Sequence, residues 1–300
     1  MLGGRKLGWP WVLAGLAAMY LPVFWWAGQT IWQSDDHAHG AIVLVVLVWL
    51  FWQLRGPLAG LPDEPARGAG MAVFGAGLLM YLLGRMLEFS IFVFGSEILV
   101  LAGGLLLLKG QAALRLAWFP VFYAVFMIPL PGVLVDAMTG PLKQWISGLV
   151  ELILYPLGYP IARNGVVITI GQYQMLVADA CSGLHSMYSL SALGTLFMYI
   201  MARANRLHNA IMLLAILPIA FTANVVRVIA LVLITYHLGD EAGQGFLHGT
   251  AGIVLMLVSL GFFFALDALL ARALGTRVPA ASPATRAQTV SQPASSTRQP

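Results

Sequence analysis

Long stretches of this chain carry almost no charge, and short polar interruptions separate them. The apolar runs fall at about residues 9–28, 38–54, 70–84, 89–108, 116–128, 183–201, 209–236 and 250–270. A helix needs about 20 apolar residues to cross a hydrocarbon layer of ~30 Å. The shorter runs reach that length by extending into flanking polar residues, or they cross where the bilayer is thin. The pattern predicts about eight spans. The first run follows Arg5 and Lys6, holds Pro10, Pro22, Trp25 and Trp26, and has no small-x-small cleavage pattern. It reads as an uncleaved first span and not as a signal peptide. No internal repeat stands out, which weakens a transporter built on inverted halves.

Two stretches break the pattern. Residues 131–180, between the fifth and sixth spans, contain at 142–157 an amphipathic helix suited to lying along the membrane interface. Residues 165–177 (GVVITIGQYQMLV) are rich in β-branched side chains around a Gly-Gln pair, which predicts a short β-hairpin. From residue 275 onward the chain is Ala, Ser, Thr, Pro and Gln with scattered arginines, a composition that predicts a disordered cytoplasmic tail. The expected fold is all-α: one polytopic membrane domain over residues 1–274, with the amphipathic helix and the hairpin on its outer side.

Composition agrees with a lipid solvent. Of 300 residues 60% are hydrophobic and 9% charged, whereas a soluble domain carries about a quarter charged residues. The net charge of +4 does not mark a nucleic-acid partner, because the basic residues are spread between apolar runs. With the N-terminus in the cytoplasm, twelve of the sixteen Lys and Arg fall on the cytoplasmic side. Arg85, Lys143 and Arg163 fall outside, and Arg227 lies within a span. That bias orients the protein with both ends in the cytoplasm.

Chemistry concentrates at the outer side. Cys181 is the only cysteine, so it forms no intramolecular disulfide and builds no cysteine zinc site. It stands in VADACSGLHS, where an extended segment meets a span, with Asp179 just before it. A helix start lowers a thiol's pKa and offers unpaired N–H groups. The plain alternative is a packed small residue. Arg227 interrupts an apolar run, with Asn224 three residues before it on the same face. It stands about 25–30 Å up its span from the cytoplasmic end. A buried cation there marks a functional partner, against the alternative of a snorkelling arginine. His248, in GQGFLHGTAG, marks the outer entrance of the last span. A thiol, a fixed cation and a proton-transfer group at one depth are the set needed for acyl transfer. His185, one turn after Cys181 on the same face, is the competing base. Ser34–Gly40 (SDDHAHG) gathers acids and histidines, but a solvated loop explains it without a metal. No cofactor is expected.

The segments ACSGL at Cys181, NVVRV at Arg227 and LHGTAG at His248 resemble the signature of the exosortase family. His39–Gly40 at the start of the second span and IPLPG at 128–132 add to the likeness, which covers about residues 30–270. The resemblance implies a bacterial inner-membrane cysteine peptidase and transpeptidase, with B type as the expected subtype. Its substrates would be exported proteins ending in a Pro-Glu-Pro motif, a transmembrane helix and a basic cluster. It implies Cys181 as nucleophile, Arg227 as stabiliser of the oxyanion and His248 as the acid–base. The rival readings are a multi-spanning transporter and a non-catalytic component of exopolysaccharide export. Neither needs a cysteine and a histidine at the same depth.

Overall fold

The computed structural model describes residues 8–34, 38–130, 132–176, 183–201, 203, 205–249 and 251–275. Contacts divide the chain into two compact units, one built on residues up to Leu130 and the other on Pro131–Pro279. Among the described residues six helices are long and apolar enough to cross a membrane. Two shorter apolar helices, Trp118–Met127 and Met187–Met201, stand where the fifth and sixth spans are expected. The protein is an all-α polytopic membrane protein.

The first unit begins with α1 (Gly8–Gln29), α2 (His39–Gly60), α3 (Arg67–Met86) and α4 (Ser90–Lys109). Short α5 (Gln111–Leu116) and α6 (Trp118–Tyr123) follow, and a 3-10 turn, Ala124–Met127, continues α6. In lipid, helices associate through close packing of small residues, because apolar contact alone gains nothing over lipid tails. α3 presents Gly70, Gly77 and Gly84 at seven-residue spacing, all buried. A Cβ at Gly77 would meet the Val100 backbone N at 2.9 Å, and one at Gly84 would meet the Val93 N at 2.7 Å. These glycines let α3 and α4 touch backbone to backbone. At the end of α4, Lys109 Nζ lies 2.7 Å from Asp63 and donates to the Leu61 carbonyl at 2.8 Å, which ties the α2–α3 connection down. His39 is the first residue of α2, and Gly40 beside it is buried. A side chain at Gly40 would collide with the Trp32 indole.

The second unit opens with α7 (Gly132–Leu154), longer at its N-terminal end than the expected amphipathic helix and carrying Pro141 inside it. A three-stranded antiparallel sheet follows: β1 (Ile161–Asn164), β2 (Val167–Ile170) and β3 (Tyr173–Leu176). β2 and β3 are the expected hairpin, and its turn is Gly171-Gln172. β1 adds a third strand through Gly165-Val166. Both turns begin with a glycine of positive φ, +62° and +56°, as two-residue hairpin loops require. Helices α8 (Gly183–Met201), α9 (Arg206–Leu238), α10 (Asp240–Gly249) and α11 (Ala251–Ala273) complete the unit. The face of α7 formed by Ile146, Val150 and Leu154 packs with Ile161, Ile168 and Ile170 of the sheet and with Val225, Val228 and Val232 of α9. The sheet thus lies against the second half of α9.

Candidate active site

α9 has 33 residues, about 50 Å at the usual helical rise and longer than the hydrocarbon layer. Two of its faces are buried by different partners. Val225, Val228 and Val232 meet α7 and the sheet. Ala220 and Ala223 meet Leu190 of α8 and Leu255 of α11. Alanines at these positions let all three helices approach closely. Asn224 is fully buried and Arg227 is 8% exposed.

Three levels of contact set the register of α8, α9 and α11. At one end Arg203, just beyond α8, donates through Nε to Asp267 Oδ1 at 2.7 Å and also pairs through its terminal nitrogen with Oδ2. His208 Nε2 lies 2.9 Å from the same carboxylate. The Asp267 hydrogen bond raises the Arg203 pKa further, so its charge is permanent. The next level is apolar: Phe197, Met212, Ile216 and Phe263. Here Gly194 admits the Phe263 ring, which a Cβ would meet at 2.6 Å. The third level is Leu190, Ala220, Ala223 and Leu255.

One further turn, about 6 Å, separates that third level from the motif segments. Four residues beyond Ala223 along α9 stands Arg227. Four residues back from Met187, a side chain of the third-level cluster, α8 begins at Gly183. Four residues back from Leu255, α11 begins at Ala251. Arg227 and the starts of α8 and α11 therefore stand at one level of one unit. Cys181 and Asp179 lie outside the described residues. His248 is the ninth residue of α10, a separate helix folded against α9, and His185 is the third of α8. For these two histidines the structure describes the helical backbone only. His39 belongs to the first unit.

Compared with known protein families, residues 25–265 match the family described as Transmembrane exosortase (Exosortase_EpsH). The chain belongs to the transmembrane exosortases. The match spans both units and is to the family as a whole. No curated protein and no solved structure matches the chain. Exosortases are membrane peptidases or transpeptidases of exported proteins, so this chain is a membrane protein of exosortase type.

Two buried polar features of this exosortase were not read from its sequence. The Arg203–His208–Asp267 cluster is one. The other is Glu97, 5% exposed in α4, whose Oε2 has no hydrogen-bond partner among the described residues. Beside it, Tyr20 and Ser96 share a hydrogen bond of 2.8 Å. The signal for both was available as a lone acid inside an apolar run, the same rule that singles out Arg227.

Proposed function

We propose that this exosortase is a cysteine peptidase and transpeptidase that cleaves the C-terminal sorting signal of exported proteins at the periplasmic face of the inner membrane. Cys181 is the nucleophile, Arg227 stabilises the oxyanion and His248 is the general acid–base. The observation that carries this reading is the shared level of α8's start, Arg227 and α11's start, one turn beyond the Leu190–Ala223–Leu255 contact. The Lys and Arg distribution orients that end toward the periplasm, with both termini in the cytoplasm.

The substrate's transmembrane helix docks laterally in the bilayer, its basic end in the cytoplasm, and the residues before that helix reach the site. His248 takes the Cys181 proton. The thiolate adds to the scissile carbonyl, and the charge that develops on oxygen faces the Arg227 guanidinium and the unpaired N–H groups of the helix start. The C–N bond then breaks, His248 returns its proton to the leaving amine, and a thioester remains on Cys181. An amine acceptor or water attacks the thioester, its proton passes through His248, and the thiol is restored. Asn224, Asp179, His185 and His39 are supporting candidates.

The test uses an exported reporter ending in Pro-Glu-Pro, about 20 apolar residues and an arginine cluster, expressed with the full-length enzyme. Cys181→Ala and Cys181→Ser are expected to accumulate uncleaved reporter at normal membrane levels of enzyme. Normal cleavage by Cys181→Ala would leave the transporter or scaffold reading as the better one.

A further inference from the structure

The sheet of the second unit has an open side next to the site. Its order is β1-β2-β3, so β2 is bonded on both edges and β3 on one. Antiparallel partners alternate between pairs that exchange both main-chain hydrogen bonds and pairs that exchange none, and the pair closing a two-residue turn is of the first kind. Ile170↔Tyr173 closes the Gly171-Gln172 turn, so it and Ile168↔Met175 are the bonded pairs. On β2's other edge Asn164↔Val167 closes the Gly165-Val166 turn, and Ala162↔Thr169 is bonded with it. The two sets use alternate residues of β2, as a central strand requires. The N–H and C=O of Gln174 and Leu176 therefore point away from β2. Both residues are exposed, and among the described residues no strand pairs with that side of β3.

We propose that this edge of β3 binds the substrate polypeptide, whose extended segment before the transmembrane helix adds to the sheet as a fourth strand. The inference rests on the peptidase reading above and names how that site holds its substrate. An edge of alternating donors and acceptors matches extended main chain, and neither a lipid tail nor a glycan repeats that spacing. Position argues for the same occupant. β3 ends at Leu176 and Cys181 follows five residues later, a reach of at most ~18 Å of extended chain. A peptide on the edge is thus held within about five residues of the bond that Cys181 would attack. Side-chain contacts alternate along such a strand, so every second substrate residue faces the enzyme. Main-chain pairing also lets one enzyme accept many exported proteins whose side chains differ in this segment.

The experiment compares Gln174→Pro with Gln174→Ala on the reporter described above, in membranes holding the full-length enzyme. Proline deletes the outward N–H, and β3 is an edge strand in which that N–H serves no internal pair. Gln174→Pro is expected to lower kcat/KM at least tenfold below Gln174→Ala, which keeps the outward N–H. If the two behave alike while Cys181→Ala is dead, the edge assignment is wrong and the peptidase reading stands. If Cys181→Ala cleaves normally, the peptidase reading falls and takes this one with it. A second measurement guards against misfolding by proline. The Cys181→Ala, Gln174→Cys double variant is oxidised against reporters that carry one cysteine at successive positions before the transmembrane helix. Disulfides at every second position are expected. Trapping at all positions alike, at none, or between two copies of the enzyme would overturn strand addition.

Discussion

At the residue scale, the question is why two histidines close in sequence to the motifs should differ in role. His185 follows Cys181 by one helical turn in the sequence, and the expectation from that spacing is a base one turn further into the span, where an imidazolium is disfavoured. His248 stands near the end of α10, just before α11 begins, and the proposed orientation would put it at the membrane entrance, in exchange with water. His248→Ala is therefore expected to abolish reporter cleavage, and His185→Asn to retain a substantial part. Arg227→Lys should fail as well, by about 10²–10³ in rate, because an ammonium lacks the planar fork of guanidinium. The processed fraction at matched enzyme levels decides it: a dead His185→Asn beside an active His248→Ala would reverse the assignment of the base. Arg227 was legible in the sequence because a lone cation in an apolar run demands a reason. Asp267 obeys the same rule, yet its meaning depends on Arg203 and His208, which only folding brings to it. Removing one member of a buried ionic cluster strands the others. Asp267→Ala should cost about 3 kcal/mol of stability, and added to Arg203→Ala it should cost clearly less than the sum of the two. Additive losses in unfolding of the solubilised protein would show that the cluster is not coupled.

At the element scale, hydropathy located the long helices because their apolar length is the same property that makes them cross lipid. The hairpin was legible for a local reason as well, since Gly171-Gln172 follows a β-branched run, Val166–Ile170. β1 was not. Ile161 is its only buried residue, and Ala162, Arg163 and Asn164 are exposed, so nothing in its pattern resembles a strand until β2 offers an edge. α10 was missed as a helix for a related reason: Asp240, Glu241 and its glycines look like a loop. What holds α10 is its closeness to α9. Gly243 faces Thr235, a buried residue, and a Cβ at Gly243 would collide with the Thr235 hydroxyl. Gly243→Ala should therefore push α10 away from α9 and displace His248, lowering cleavage about tenfold or more, as small misplacements of catalytic groups do. Thr235→Ala removes the obstructing oxygen. The double variant is expected to recover much of the lost activity, and cleavage equal to the parent in Gly243→Ala alone would show that the approach carries no such constraint.

At the scale of the whole molecule, all three motif segments belong to the second unit, Pro131–Pro279, and the first unit supplies four of the six long apolar helices. The sequence carried the alternation of runs and loops but no boundary between units, because both are built from the same apolar helices. What separates them is which helix faces pair, as in the glycine seam of α3 with α4 and the three levels joining α8, α9 and α11. Orientation, by contrast, is an expectation drawn from the loops, since cytoplasmic ends retain Lys and Arg. Reporter fusions after Arg55, Lys109, Arg206 and Arg272 should therefore report the cytoplasm, and fusions at Asp36, near Lys143 and at Asp240 the outside. The decisive site is Lys143. It lies in α7, whose buried face packs with the sheet that leads to Cys181, so its side of the membrane is the side of the proposed nucleophile. Exported substrates present their sorting signal only after crossing. A cytoplasmic signal near Lys143 would put the thiol where no exported protein could meet it, and the peptidase mechanism would fall however the residues behaved on their own.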